Sequence, residues 1–327
     1  MAHYPQTMLE LNAVENATTA TSFFAGEQGK DMTRQLEDII NELGDLPPLP
    51  EVVSDLLKLT QSQTTPLEEI RRVILRDPIL AGRVLQLSNS PLYGMHQRIG
   101  SLKLALVILG AREVRNLVLG ISAINLLSDA ATEAQLAQGF LAHAALVGGL
   151  ARNLTQELKL RTSGEEFSAG LLHDIGKIVL GRHFAKKYMT ILEHSSGDSS
   201  ELCKRELETF GFTHADASAA LLAFWDLPSS LCDAVQLHHF REDRPLNQAA
   251  APRLASLVRI ANLAAHDDFN STDADAWISS TEVEAWEILD LDGKLDNAEQ
   301  RSRVLMDVFS SFPKDMPPLF SNDLNDI

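Results

Sequence analysis

The most informative stretch of the chain is Phe167-Ser168-Ala169-Gly170-Leu171-Leu172-His173-Asp174-Ile175-Gly176-Lys177. It places a histidine and an aspartate side by side after an apolar run of helical character, and Gly176 then allows a sharp turn. Imidazole and carboxylate together suit zinc, iron, manganese or nickel better than calcium. The same pair also fits a structural role, in which both side chains fasten a helix end by hydrogen bonds. The dipeptide alone leaves both interpretations open.

Composition predicts a globular protein with little affinity for nucleic acids. The 327 residues are 45% hydrophobic, enough to bury the core of one large domain or of two ordinary ones. The formal net charge of -17 argues against wide contact with phosphate backbones, because such contact depends on lysine and arginine displacing counterions. Cys203 and Cys232 provide no disulfide framework. Neither a secretory signal nor an apolar run of roughly 20 residues is visible, so we expect a cytoplasmic protein without a membrane partner.

Apolar periodicity predicts helices along the first half of the chain. Residues 1–31 are rich in small polar side chains and are expected to form a mobile leader. From Met32 onward, apolar residues recur at helical spacing in three successive segments, residues 36–43, 52–59 and 67–75. Asp77 is the expected cap of the next helix and Pro78 its first residue, and Pro91 forces its end.

A pair of helices is predicted over residues 102–109 and 111–127, joined at Gly110. Arg112 and Arg115 on the second helix raise the alternative of a DNA-binding helix-turn-helix. The second helix is too apolar for an exposed element, since it carries Val114, Leu117, Val118, Ile121 and Ile124. Together with the negative net charge, this argues against a DNA-binding function.

The second half of the chain, residues 131–270, is also expected to be helical, after a small polar boundary at 128–133. Helices are predicted in five segments, residues 136–158, 167–191, 213–225, 228–240 and 253–265. His143 shares the inward face of the first of these with Phe140 and Val147. Ser229 and Ser230 are the cap candidates of the fourth.

The remaining residues, 271–327, are acidic and polar, with two further helical segments at 283–289 and 304–309 and an irregular tail from Pro313. Alternating apolar and polar runs typical of strands are absent throughout the sequence. The pattern therefore predicts an all-α protein, a multi-helix bundle preceded by an N-terminal helical subdomain over residues 32–130.

Five of the ten histidines fall at helix ends or on helix faces of the second half: His143, His173, His214, His238 and His239. Helices of a bundle converge on a shared core, so residues far apart in sequence can meet there. One metal ion could be held by His143, His173 and Asp174, and a second by His214 with His238 or His239. Two ions about 3.5 to 4 Å apart would clamp a phosphate and activate a water for in-line attack.

The order of these residues resembles the HD superfamily of metal-dependent phosphohydrolases. A narrower resemblance, covering about Met32 to His266, is to the HDOD family, the HD-related output domains of bacterial signalling proteins. The segments that carry it are Leu46-Pro47-Pro48-Leu49-Pro50, Arg76-Asp77-Pro78-Ile79-Leu80, Leu87-Ser88-Asn89-Ser90, Ile108-Leu109-Gly110 and Phe212 through His239. The Asp-Pro-Ile-Leu helix and the Leu-Gly helix pair are parts that a plain HD hydrolase would not share.

The resemblance implies an HD-like bundle and a regulatory function in signal transduction, because HDOD domains generally act through contacts after losing part of the catalytic set. All six residues of the His/Asp set match HD-type ligands. The alignment, however, puts Ala265 where an HD hydrolase has its last metal-binding aspartate, and Asn262, His266 and Asp267 are displaced from that position. We therefore expect a regulatory domain with a degenerate metal site. The alternative is a metal-dependent phosphohydrolase or cyclic-nucleotide phosphodiesterase.

In the enzyme alternative, Asp174 and Lys177 are the candidate catalytic residues. Lys177 either contacts a phosphate or is a solvated side chain just past a helix end. The implied cofactor is a divalent transition metal, Fe, Mn, Zn or Ni, held by His143, His173, Asp174, His214, His238 and His239. We expect a signalling protein to bind the N-terminal half, with a nucleotide or another phosphate compound as a candidate ligand.

Overall fold

The computed structural model describes residues 49–60, 65–89, 98–127, 134–162, 164–195, 198–239, 245–266, 283–290, 293, 295 and 297–310. Four predicted features lie outside these residues: the leader at 1–31, the helix at 36–43, the boundary at 128–133 and the tail from Pro313. None of the described helices is both long and apolar enough to cross a membrane.

The described residues form thirteen α-helices and contain no strand, which confirms the all-α prediction. The helices are α1 (Glu51–Thr60), α2 (Leu67–Ile74), α3 (Pro78–Ser88), α4 (Leu102–Leu127), α5 (Ala134–Glu157), α6 (Glu166–Leu172), α7 (Ile175–Ser195), α8 (Ser199–Phe210), α9 (His214–Phe224), α10 (Ser229–Gln236), α11 (Pro252–His266), α12 (Val283–Leu289) and α13 (Ala298–Ser310). A short 3₁₀ turn, Leu246–Gln248, precedes α11.

Local signals in the N-terminal half act as the sequence predicts. Asp77 caps α3, since its Oδ1 accepts hydrogen bonds from the backbone N–H groups of Ile79 and Leu80 at 3.0 Å each. Asn89 then fastens the end of α3 to Ile99 by a pair of hydrogen bonds, one given and one received. At Gly110 the backbone leaves helical geometry, with φ 85° and ψ 159°, so α4 is two helices joined by a kink.

The second part of α4 is a core element. Its apolar residues Val114, Leu117, Val118 and Ile121 are fully buried. Arg115 beside them is half-buried, and burial lowers its pKa although Glu165 favours its charged form. A recognition helix must expose its face to DNA, so this environment supports the interpretation of α4 as a packing element.

The core helices of the second half approach each other at glycines. A Cβ atom on Gly170 of α6 would lie only 2.5 Å from the Cα of Gly148 on α5, closer than real contacts allow. The two backbones therefore touch directly, and α6 is buried along its whole length. This packing fixes the end of α6, where His173 and Asp174 follow.

The structure adds one helix that the sequence did not predict. Helix α8 begins at the cap residue Asp198, whose side chain accepts from Ser200 N and Glu201 N, and ends at Gly211 in the left-handed conformation. It packs on α7 and carries Glu206 into the interior. Helix α10 also differs in its start, because Pro228 occupies the cap position without a side-chain bond while Ser229 and Ser230 lie inside the helix.

Candidate metal centre

The His-Asp pair lies in the turn between α6 and α7, completely buried. His173 Nδ1 is 2.6 Å from the carbonyl oxygen of Gly170. Because a carbonyl can only accept, Nδ1 carries the hydrogen and Nε2 is left with its lone pair. His238, which follows α10, has the same arrangement with the carbonyl oxygen of Val235 at 2.6 Å. Both rings thus present an unprotonated Nε2 to the interior, the tautomer that metal-binding histidines use.

Gly176 was predicted to allow a sharp turn after the His-Asp pair, but it has a different role in the structure. It lies inside α7, and its φ is not among the positive values that mark sharp turns in the described chain. A Cβ on Gly176 would overlap the carbonyl oxygen of His214. The glycine therefore permits close approach of α7 to α9 rather than a turn. Ser218 completes the contact, accepting from Gly176 N at 2.8 Å, with its hydroxyl also 2.8 Å from the carbonyl oxygen of His173.

Asp174 is the central residue of the cluster. Its Oδ1 lies 3.1 Å from His214 Nε2 and 3.3 Å from His238 Nε2. Its Oδ2 lies 3.4 Å from His173 Nε2, 3.8 Å from His143 Nε2 and 2.5 Å from Lys177 Nζ. Burial alone would raise the pKa of Asp174, but the positive charge of Lys177 and a hydrogen bond from His214 act to hold the pKa well below its usual range. The carboxylate is therefore ionised in the interior.

Helix α9 begins with His214, which Glu206 of α8 orients. Glu206 Oε2 accepts from His214 Nδ1 at 2.7 Å and from the backbone N–H of His214 at 2.9 Å. Its other oxygen accepts from Tyr188 Oη at 2.9 Å. Although burial acts to lower it, Glu206 raises the pKa of His214 to about 9. This carboxylate–histidine contact is typical of metal centres, where it fixes the ring and makes it more basic.

The two consecutive histidines after α10 behave differently from His214. Burial lowers the pKa of His238 to about 3. Desolvation and the neighbouring His238 likewise place the pKa of His239 well below its usual value. Both rings are thus neutral at pH 7 and keep a lone pair for a cation. His239 Nε2 also lies 3.1 Å from His214 Nε2, so the three rings meet at one point.

Arg259 of α11 fixes the backbone that carries these two histidines. Its buried guanidinium donates to the carbonyl oxygen of Leu237 through Nε and Nη2, at 3.0 and 2.8 Å, and to that of His239 through Nη2 at 2.9 Å. Leu237 still makes one helical hydrogen bond, from its N–H to the carbonyl oxygen of Asp233 at 2.9 Å, and the clamp holds the chain beyond that point. Neither Arg259 nor Glu206 was identified from the sequence.

His143 joins the cluster from α5 and is half-buried, with 18% of its side chain exposed. Its Nε2 lies 3.0 Å from Oδ1 of Asn262 on α11. The sequence predicts Ala265 at the position of the last metal-binding aspartate and predicts that Asn262 points in another direction. The structure corrects this expectation: Asn262, only 3% exposed, faces the cluster and supplies an oxygen atom.

Lys177 lies in the first turn of α7 and is half-buried against Asp174, not solvated beyond a helix end. The structure thus brings all six predicted residues together with Lys177 and Asn262. Their potential ligand atoms form two groups that share Asp174: one contains His143 and His173, the other His214, His238 and His239. Within each group these atoms lie within 4.8 Å of one another. Below, the six predicted residues are called the histidine–aspartate cluster.

Glu206→Gln tests how far the cluster depends on its surroundings. Glutamine keeps the volume but has one acceptor oxygen where three groups donate to the carboxylate. We expect an affinity for zinc or manganese reduced about 10- to 100-fold, as for other partners of metal-binding histidines. The free energy of unfolding should also fall by about 1 to 3 kcal/mol in metal-free protein. Calorimetric metal titration and denaturant unfolding measure the two effects.

The matched control is Glu208→Gln, an exposed position on the same helix. This variant removes one charge two residues away from Glu206, at a side chain that makes no contact with the cluster. If both variants bind metal equally well, Glu206 has no positioning role.

Comparison with known proteins gives one family and a shared fold. The HDOD domain family model matches residues 46–240, which includes all members of the histidine–aspartate cluster and ends before α11. An HDOD domain protein of unknown function from Geobacter sulfurreducens is 21% identical, with a TM-score of 0.63 over 85% of this chain and 97% of the other. A candidate phosphohydrolase from Shewanella amazonensis SB2B is also 21% identical, with a TM-score of 0.62 over 84% of this chain and 94% of the other.

An uncharacterized protein of Treponema pallidum (strain Nichols) is 25% identical over 234 residues, which are 71% of this chain. The chain spans 44% of the length of that relative.

Proposed function

Because the chain belongs to the HDOD domain family, we propose that it is a regulatory protein of bacterial signal transduction whose histidine–aspartate cluster binds divalent transition metal ions. The family match supports the regulatory part of this proposal, and the chemistry of the cluster supports the metal.

One observation carries the metal part. The buried atoms His173 Nε2 and His238 Nε2 make no hydrogen bond within the described structure. The two nitrogens bear lone pairs, because their Nδ1 atoms donate to carbonyls, and they lie 3.3 to 3.4 Å from carboxylate oxygens. Lone pairs that face each other in a buried site repel and are costly. A cation among them converts this repulsion into coordination, and imidazole with carboxylate suits Zn, Fe, Mn or Ni.

The residues around the cluster make it a weaker metal site than a full hydrolase centre, which favours a regulatory function over turnover. A bound metal of this type supplies Lewis acidity toward phosphate oxygens. Asn262 offers a neutral oxygen on α11 where the HD pattern implies a carboxylate, so the site has less negative charge to hold the ions. Lys177 pairs with Asp174 and adds positive charge next to the same oxygen that faces His143 and His173. Both features weaken metal binding relative to a full hydrolase site.

A second candidate function, hydrolysis of a phosphoester or cyclic nucleotide, has a specific observation in its favour. The loss of a donor atom that Ala265 implied does not occur, since Asn262 occupies the place beside His143. With all six cluster residues in contact, Asp174 and Lys177 are the groups that would orient a phosphate and move a proton. The similarity to a candidate phosphohydrolase is one of fold.

Partner binding is proposed for the N-terminal helical half, residues 32–130. On its described surface large apolar side chains are exposed, with Ile79 at 66%, Val107 at 63% and Ile108 at 46%. Exposed groups of this kind on neighbouring helices are typical of protein interaction surfaces.

The test is metal analysis of the full chain, purified without chelators and without a histidine-rich tag. We expect about one or two transition metal ions per chain, as the two ligand groups of the cluster imply. Protein that stays metal-free after incubation with Zn, Mn, Fe and Ni would overturn the metal part of the proposal. The metal-loaded protein is then assayed with phosphomonoesters, phosphodiesters and cyclic nucleotides. Turnover there would reverse the order of the two candidate functions.

A further inference from the structure

A cavity lies at the opposite end of α10 and α11 from the histidine–aspartate cluster. It has a volume of about 520 Å³, and its polar lining consists of Arg161, Thr162, Ser230 and Arg253. Ala251, Pro252, Leu254 and Ile288 complete the wall. Among the described residues, the lining therefore holds two positive charges and two hydroxyl groups, but no carboxylate.

Neither arginine of this cavity forms an ion pair or a side-chain hydrogen bond within the described part of the chain. The whole chain carries 45 acidic and 28 basic residues, so carboxylates outnumber guanidinium and ammonium groups. Elsewhere in the described chain some arginines pair with acidic residues, such as Arg71 with Glu68 and Arg76 with Asp55. The charge of Arg161 and Arg253 is therefore left unbalanced at one place.

The two helix starts add to this positive potential. Helices α10 and α11 begin at Ser229 and Pro252, beside the lining residues Ser230 and Arg253, and neither has an acidic residue in its first turn. Free backbone N–H groups give a helix start a partial positive charge, which normally attracts acids and disfavours arginine. The carboxylate next to the start of α11 is that of Asp233, whose Oδ2 accepts from the backbone N–H of Ala250 at 2.6 Å and whose pKa is raised by burial.

Glu165 is the acidic residue in contact with the lining, and it is already engaged. It accepts from Ser230 Oγ at 3.1 Å. Its charge also acts on Arg115 of α4, where it favours the ionised guanidinium. Glu165 orients a lining hydroxyl, and no ion pair joins it to Arg161 or Arg253 in the described structure.

From these features we infer that the cavity binds a small molecule carrying a phosphate group. Guanidinium groups, hydroxyls and helix N-termini are the groups that hold phosphates in proteins. The volume lies within the range of ligand pockets and exceeds what a single phosphate ion fills. The apolar wall formed by Leu254 and Ile288 gives room for an organic part, such as that of a nucleotide.

The position of this cavity also points to a regulatory role. This part of the inference rests on the proposed function of the metal centre. Helix α10 leads from the cavity to His238 and His239. Helix α11 leads from Arg253 to Arg259, which clamps those histidines, and to Asn262 beside His143, roughly 13 Å away along the helix. A ligand that pulls the starts of α10 and α11 together acts on both segments of the cluster. Binding of the ligand and of the metal should therefore be coupled.

The experiment is calorimetric titration of the full chain, freed of metal with a chelator, with ADP and separately with inorganic phosphate. Metal-free protein removes metal-mediated phosphate binding at the histidine–aspartate cluster. We expect ADP to bind and inorganic phosphate to bind more weakly. Arg161→Gln and Arg253→Gln should each raise the dissociation constant about tenfold or more, and the double variant should abolish binding. The control Arg303→Gln removes an exposed arginine on α13 and should change nothing.

Two results would overturn this inference. One is a metal-free wild-type chain that binds neither probe at millimolar concentration. The other is binding that the double arginine variant retains unchanged. Coupling is measured by repeating the metal titration with and without saturating ADP, and equal affinities would contradict the regulatory role alone. The ADP titration needs no metal. A failure of ADP binding therefore contradicts only the inference about the cavity, and a failure of metal binding contradicts only the proposed function.

Discussion

Replacing Asp174 with asparagine is expected to lower the affinity of the histidine–aspartate cluster for zinc or manganese by about 100-fold or more. Asp174 belongs to both ligand groups, since Oδ1 faces His214 and His238 while Oδ2 faces His143 and His173. Asparagine keeps the shape of the side chain but removes its charge and one of the two acceptor oxygens. No second carboxylate is present in either of the two groups to replace it.

Metal-dependent stabilisation measures this effect without any enzymatic assay. A metal at 100 times its dissociation constant stabilises a protein by about 2.7 kcal/mol, and a 100-fold weaker site at the same concentration gains only about 0.4 kcal/mol. Thermal unfolding with and without metal should therefore separate wild type from Asp174→Asn clearly. The control is Glu299→Gln, an equal loss of charge at a side chain that is 84% exposed. Equal stabilisation of both variants would show that metal binds elsewhere.

The helical architecture was accessible from the sequence because its signals are local. The Asp77-Pro78 start of α3 and the Gly110 kink in α4 depend only on neighbouring residues, and the structure shows both. Helix α12 spans Val283–Leu289, as its periodicity predicts. Helix α8 was missed because its composition is polar on average, although Asp198 and Gly211 mark its two ends and its apolar residues share one face.

The residues that surround the cluster were not accessible in this way. Glu206 and Arg259 act on His214 and on the His238-His239 segment across helix contacts, and nothing in their local sequence distinguishes a buried charge from a surface one. The error at Ala265 has a simpler cause. A shift of three residues along a helix changes the direction of a side chain by only about 60°, so Asn262 and Ala265 lie on nearly the same side of α11. Only the packing of α11 against α5 decides which of them meets His143.

Asn262 is consequently the residue whose substitution best distinguishes the two candidate functions, regulation by binding and hydrolysis of a phosphoester. Its Oδ1 is 3.0 Å from His143 Nε2, and Asp174 Oδ2 is 3.8 Å from the same nitrogen. As the acceptor, the amide oxygen holds a hydrogen on Nε2, the atom that His143 would use to bind a metal. A carboxylate at this place would add negative charge and a second oxygen next to the ligand group of His143, His173 and Asp174.

Asn262→Asp is therefore expected to raise the affinity for a divalent transition metal about tenfold or more, in line with the effect of charged groups next to metal ligands. In metal-free protein the same change places a carboxylate near the ionised Asp174, so the free energy of unfolding should stay constant or fall. A higher metal affinity without a higher free energy of unfolding in metal-free protein shows that the new carboxylate acts on the metal. A substitution that only stabilises the fold would raise the free energy of unfolding as well. Competitive titration against a chelator of known affinity measures the metal affinity.

Ala265→Asp is the matched control, because it introduces the same side chain on the same helix, one turn nearer its end. We expect no gain in metal affinity from Ala265→Asp, since Asn262 is the residue of α11 that contacts His143. A gain from Ala265→Asp without a gain from Asn262→Asp would contradict the assignment of Asn262 to the metal centre. The Asn262→Asp variant and the wild type are also assayed with phosphodiesters. If only the variant hydrolyses them, the neutral amide of Asn262 is the feature that prevents hydrolysis in the wild-type protein. If both proteins hydrolyse them equally, the wild-type centre is already catalytic, and the regulatory proposal must give way to the hydrolytic one.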